Sequence, residues 1–119
     1  DDKFFNEAAQ FWRQLPLEKV SLVTNDYVLS ETYTHLRRSH DGLARAIRAH
    51  ETIHQSQLKE LIAVSKHDRE QGWKLFCQYT DKVMSFTDCV CFAMMHALEM
   101  YQVFTFDQDF ARAGFVVRP

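Results

Sequence analysis

Val20-Ser21-Leu22-Val23-Thr24-Asn25-Asp26-Tyr27-Val28-Leu29-Ser30-Glu31-Thr32-Tyr33-Thr34-His35-Leu36 reads as a strand running into a helix. Val20 to Val23 is a short β-branched and apolar run, which suits a buried strand. Thr24, Asn25 and Asp26 are turn and N-cap residues. Beyond them Leu29, Tyr33 and Leu36 fall on one side of a helix. Outward from this stretch the same alternation continues. Upstream, Phe4, Ala8, Phe11, Trp12 and Leu15 mark a first helix that Asp1 or Asp2 caps and Pro16 is expected to end.

Downstream, Gly42 to about Gln55 predicts a more polar helix, and Leu58 to Val64 a strand whose Glu60 and Leu61 suit a helix equally. Ser65, with Asp68 three residues on, predicts a capped helix carrying Trp73, Phe76 and Tyr79. A helix is expected to start at Thr87, and its Cys89-Val90-Cys91-Phe92-Ala93-Met94-Met95 run is apolar on every side, so it is buried all round. Tyr101 to Phe106 then predicts a strand, Asp107 to Ala113 a short helix with Gly114 at its C′ position, and Phe115 to Arg118 a last strand. Strands alternating with helices imply a mainly parallel sheet covered on both faces.

Composition agrees with this reading. The 119 residues suit a single domain, 1–119, and 46% hydrophobic with 25% charged content is that of an ordinary globular protein. A net charge of -2 argues against retention on nucleic acid by bulk positive charge. The three cysteines include no Cys-x-x-Cys pair, which points to reduced thiols and a cytoplasmic protein. No stretch approaches the length of a membrane span. The chain opens on Asp1, so its natural start is expected to lie upstream.

In a parallel sheet, ligands bind beyond the carboxyl ends of the strands. Three acids are expected there: Glu31 in the first turns of the helix after Val20–Val23, Asp88 at the start of the buried helix, and Asp107 directly after Tyr101–Phe106. Converging carboxylates suit hard cations such as Mg²⁺ or Mn²⁺. Helix capping accounts for Asp88 and Asp107 equally well, so position alone leaves both readings open.

The local sequence adds to this. Thr24 to Leu36 resembles the second-acid segment of VapC-type PIN domains, and Ser85-Phe86-Thr87-Asp88-Cys89 is similar to the segment around their third acid. Phe104-Thr105-Phe106-Asp107-Gln108-Asp109-Phe110, followed by Ala113-Gly114-Phe115, resembles their closing motif. The three stand in family order over nearly the whole chain.

The resemblance implies an α/β/α sandwich and a metal-dependent endoribonuclease of a toxin–antitoxin pair, cutting RNA phosphodiesters. It implies that Glu31, Asp88 and Asp107 are the catalytic residues and hold Mg²⁺ or Mn²⁺, with Thr87 and Thr105 bonded to the carboxylates and Asp109 an accessory acid or cap. It also implies a small antitoxin partner. The family's first, central strand, which delivers the first acid, is absent from this sequence. Asp1 and Asp2 precede a helix and are not assigned that role. An N-terminally incomplete sheet is expected to favour a homo-oligomer, with strand exchange one route. The alternative is a PIN-fold binding module that pairs with itself or an antitoxin without cutting.

A remote alternative comes from His50-Glu51-Thr52-Ile53-His54, which matches the His-Glu-x-x-His zinc pair of metalloproteases. Its neighbours Arg45, Arg48, Gln55 and Gln57 are polar, and Gln57 and Glu60 stand where the longer motif carries Gly and His. An exposed polar helix is the simpler reading. Arg37, Arg38, Arg45 and Arg48 form a basic region that suits RNA phosphates, an acidic partner or simple solvation. Phe4, Phe11, Trp12, Trp73 and Phe76, at helical spacing, are expected in the core, as are Cys89 and Cys91.

Overall fold

Among the described residues every strand pairs in parallel, and each partner is reached through helix. The computed structural model describes residues 2–18, 21–55, 59–80 and 83–119. The order is α1 (Asp2–Glu18), β1 (Leu22–Asn25), α2 (Asp26–Arg37), α3 (Gly42–Gln55), β2 (Lys59–Ile62), α4 (Lys66–Gln78), α5 (Phe86–Ala97), β3 (Gln102–Phe104), α6 (Asp109–Arg112) and β4 (Val116–Arg118). This is the expected α/β chain. It resolves into two compact units, residues 15–64 and residues 1–14 with 65–119.

In the first unit, β1 and β2 pair with Leu22 opposite Lys59 and Asn25 opposite Ile62. Pairing resolves the ambiguity at Glu60 and Leu61 in favour of a strand; Val20 and Leu58, where the two strands were expected to begin, lie outside the described residues. β1 runs two residues further than its apolar run, because Asn25 both ends the ladder and caps α2. Its backbone is extended (φ -134°, ψ 167°) and its side chain accepts from Val28 N at 2.9 Å. Asp26 acts at longer range. Its Oδ1 accepts from Val64 N at 2.7 Å, tying the start of α2 to the chain just after β2.

In the second unit, β3 pairs with β4, Gln102 opposite Val116 and Phe104 opposite Arg118. Both strands are shorter than expected. So is α6: Asp107 Oδ1 accepts from Asp109 N at 2.9 Å, and this local turn delays the helix by two residues. Its end is a Schellman motif. Gly114 has φ +100°, Gly114 N donates to Ala111 O at 3.1 Å and Phe115 N to Phe110 O at 3.0 Å.

The core of this unit gathers Met84, Cys89, Phe92, Phe110 and Phe115. Phe92 sits edge-on to Phe110, with centroids 4.9 Å apart, and stacks on Phe115 at 5.6 Å. The expected burial of α5 holds for Cys89, Val90, Phe92, Ala93 and Met94.

Three expectations are corrected. Pro16 does not end α1, which continues to Glu18; the ring fixes φ near the helical value, so the proline costs one backbone N–H bond without forbidding a further turn. Thr87 does not start α5. Ser85 caps it, its side chain accepting from Asp88 N at 3.0 Å, so the helix opens at Phe86. Trp73 and Phe76 are not core: they are 57% and 37% exposed. Gly72 meets α5, and Leu75 and Tyr79 pack on the core, so this stripe is the buried one. Trp73 and Phe76 stack on each other beside it, centroids 5.6 Å apart, with Phe86 edge-on. Phe11 is buried as expected, Trp12, also expected in the core, is half-buried, and the side chain of Phe4 lies outside the described residues.

Candidate functional site

Asp107 follows β3 by three residues, and the backbone around it is held from both sides. Thr105 N donates to Arg118 O at 3.0 Å, extending the β3–β4 ladder, and Asp107 N donates to Thr105 Oγ1 at 3.1 Å. Thr105 therefore supports the backbone of Asp107, where a bond to the carboxylate was expected. The carboxylate is exposed and its Oδ1 takes the Asp109 N–H described above. Asp109 itself pairs with Arg112 Nη1 at 2.5 Å, one helical turn on. Asp109 is the first residue of α6, with Gln108 at the cap position and no side-chain cap bond, so it is not the cap that was one of its two expected roles.

Asp88 occupies the third position of α5 and is half-buried. Its backbone is fixed by the Ser85 cap, and its helix is anchored by the buried Cys89 and Val90 that follow it. A carboxylate in the first turn also faces the positive end of the helix dipole, which favours its charged form. Its charge is felt next door: burial pushes the Cys89 thiol above its ordinary pKa, and Asp88 adds to the rise. Cys77 is exposed, Cys91 half-buried and Cys89 buried.

Asp88 and Asp107 thus belong to one unit. Glu31 belongs to the other, exposed in the second turn of α2, whose direction is set by the Asn25 cap and the Asp26–Val64 bond. Within neither unit do three His, Cys, Asp or Glu side chains cluster among the described residues. Oxygen donors on short, backbone-anchored side chains nevertheless form the donor set that a hard divalent cation takes.

These features invite comparison with known proteins. A family profile described as the PIN domain matches residues 1–116. This chain is a VapC-type PIN domain. The 23S rRNA-specific endonuclease VapC20 of two Mycobacterium tuberculosis strains is 33% identical over 113 residues, 94% of this chain and 82% of that protein. The crystal structure of Mycobacterium tuberculosis VapC20, described as a sarcin–ricin loop cleaving toxin, aligns with TM-score 0.75 at 33% identity, covering 90% of this chain and 82% of that one. The α/β/α PIN fold expected from three short segments is therefore the fold of the chain.

The protease alternative gains nothing from the PIN-domain structure. His50, Glu51 and His54 lie exposed on α3, and a catalytic zinc site takes three protein ligands, which no cluster among the described residues provides. Arg37, Arg38, Arg45 and Arg48 are all exposed. Two links escaped the sequence reading, Asp26 to Val64 and Tyr33 to His50, the latter at 3.0 Å. Each joins residues far apart in the chain, and no local pattern signals such a pairing. Among the described residues no helix is long and apolar enough to cross a membrane.

Proposed function

We propose that this PIN domain is a Mg²⁺- or Mn²⁺-dependent endoribonuclease of toxin type, acting in the cytoplasm, with Glu31, Asp88 and Asp107 as its catalytic and metal-holding residues. The observation that carries the reading is the 33% identity to an rRNA endonuclease along 94% of this chain. The positions of the acids support the assignment. Asp107 follows the carboxyl end of β3, Glu31 sits on the helix leaving β1, and Asp88 stands in the first turn of α5.

Glu31, Asp88 and Asp107 would supply the oxygen ligands. A divalent ion, when bound, activates water and offsets charge building on the phosphate. The chain's own contribution is to place Asp88 in the first turn of α5, to hold the Asp107 backbone through Thr105 Oγ1 and to orient the Asp107 carboxylate through Asp109 N. Arg37, Arg38, Arg45 and Arg48 are exposed cations suited to RNA phosphates. By analogy with the relative, an RNA carrying the sarcin–ricin loop of 23S rRNA is the first substrate to offer. Family membership also supports a small antitoxin as partner, and self-association of this chain belongs to the same proposal.

The test is cleavage of that RNA in Mn²⁺ by the wild-type chain and Asp88→Asn, with circular dichroism to follow the fold. Loss of cleavage with the fold intact supports the assignment. Cleavage at the wild-type rate by Asp88→Asn overturns it.

A further inference from the structure

Trp73 of α4 is 57% exposed, an unusual setting for so large an apolar side chain, and its ring is held in place. Phe76, one turn on, stacks against it with planes 23° apart. Phe86, the first residue of α5, stands edge-on to both. Away from Phe76 a shallow hollow opens, lined by Lys66, Arg69, Glu70, Trp73 and Lys74. Residues 66, 69 and 70 precede Trp73 by seven, four and three positions, so they share its side of the helix. The hollow thus sets three cations against one acid, and that acid already lies 3.8 Å from Lys66. An open aromatic ring within reach of surplus positive charge complements a planar base attached to a phosphate. A second copy of this chain fits less well, because a two-fold contact would bring the same surplus of positive charge against itself.

We propose that Trp73 is a stacking platform for a base of single-stranded RNA, with Lys66, Arg69 and Lys74 attracting the flanking phosphates and Phe76 and Phe86 as positioning residues. The proposal rests on the nuclease reading for its class of substrate and adds a binding site which that reading does not contain. Unpaired bases of RNA loops can be splayed out and laid on aromatic faces. Such stacking tolerates any base, because every base has a π-face, while the cations track the backbone. Phe86 shares the first turn of α5 with Asp88, so platform and candidate reaction centre are joined through one helical turn. The platform therefore acts on which stretch of RNA is held, and takes no part in breaking the bond.

The test is binding of a short single-stranded oligoribonucleotide to the full chain in EDTA, where no divalent ion supports cleavage. Tryptophan emission and the anisotropy of a labelled strand follow it. Trp73 is one of two tryptophans, and the other, Trp12, is half-buried. RNA is expected to quench the wild-type emission. Trp73→Leu is expected to remove that quenching and to weaken binding roughly 5- to 100-fold, the worth of one stacked base. Trp73→Phe retains a ring and should keep most of the affinity. Salt separates ring from cations: Lys74→Gln is expected to reduce the slope of log Kd against log salt by about 0.7, and Trp73→Leu to leave it unchanged. Wild-type affinity in Trp73→Leu, or no RNA binding by the wild-type chain, overturns the proposal. So does a Trp73→Leu variant that binds RNA normally but dissociates an oligomer in sedimentation, which would make this face a contact between copies. Cleavage in Mn²⁺ is scored separately. Quenching of Trp73 in a chain that does not cut keeps the platform and removes the nuclease reading; cleavage with unchanged affinity in Trp73→Leu does the reverse.

Discussion

Gly72 of α4 lies against Val90 of α5 so closely that a Cβ added to the glycine would stand 2.7 Å from Val90 Cγ2 and 2.9 Å from Val90 Cα. A side-chain methyl can turn away, but the Cα cannot, so any larger residue must push the two helices apart. Gly72→Ala gains about 1 kcal/mol of helix propensity. The overpacking costs roughly 1–3 kcal/mol and prevails because the obstacle is backbone. A net loss of stability is expected, seen as a Tm lower by several degrees in a melt followed by circular dichroism. An unchanged or higher Tm would mean that the helices separate freely.

The Asn25 side chain makes a second point of leverage, because it is only 6% exposed and caps the helix that carries Glu31. Asn25→Ala removes the acceptor for Val28 N and is expected to cost about 1–2 kcal/mol. Asn25→Ser retains an oxygen at the cap and should recover most of that loss. Equal melting curves for the alanine and serine variants would show that the cap contributes little.

The thiols should react in the order of their exposure. Cys77 is exposed on α4, whereas Cys89 is buried and its thiol is held above its ordinary pKa by burial and by Asp88. With a thiol reagent near pH 8, Cys77 is expected to be modified first and Cys89 only on unfolding. Rapid labelling of Cys89 in the native chain, read by peptide mass spectrometry, would contradict the packing of α5.

How far the sequence disclosed these features varies by element, for physical reasons. The α5 run Cys89 to Met95 was legible in the main because a helix apolar on every side belongs in the interior, although Cys91 and Met95, expected there too, are half-buried. Ser65 with Asp68 was legible because a complete capping box has a local signature, and the box is present. Trp73 and Phe76 misled because spacing weighs large residues, while the packed stripe is organised around Gly72, whose contribution is the absence of a side chain. The start of α6 was misplaced because one carboxylate, Asp107, can either cap a helix or close a turn, and only the folded backbone decides. The acids of the candidate site are proposed from three local segments, since each follows a strand or opens a helix. The Tyr33–His50 pairing crosses 17 residues and left no mark on the local pattern.

Asp107 offers the sharpest separation of charge from scaffold, because its turn bond and its proposed metal ligation sit on one carboxylate. Its Oδ1 accepts from Asp109 N, and an asparagine Oδ1 can do the same, so Asp107→Asn preserves the turn before α6 while removing the charge. Asp107→Ala removes both. Stability within about 0.5 kcal/mol of wild type is therefore expected for the asparagine variant, and a loss near 1 kcal/mol for alanine. Loss of an outer partner of a metal ligand costs 10–100-fold, and loss of a ligand should cost no less, so RNA cleavage is expected to fall on the order of 100-fold or more in both. Mn²⁺ titration should weaken in parallel. If Asp107→Asn instead cleaves as well as wild type while Asp107→Ala melts early, the carboxylate is a turn-former and the metal assignment passes to the remaining acids.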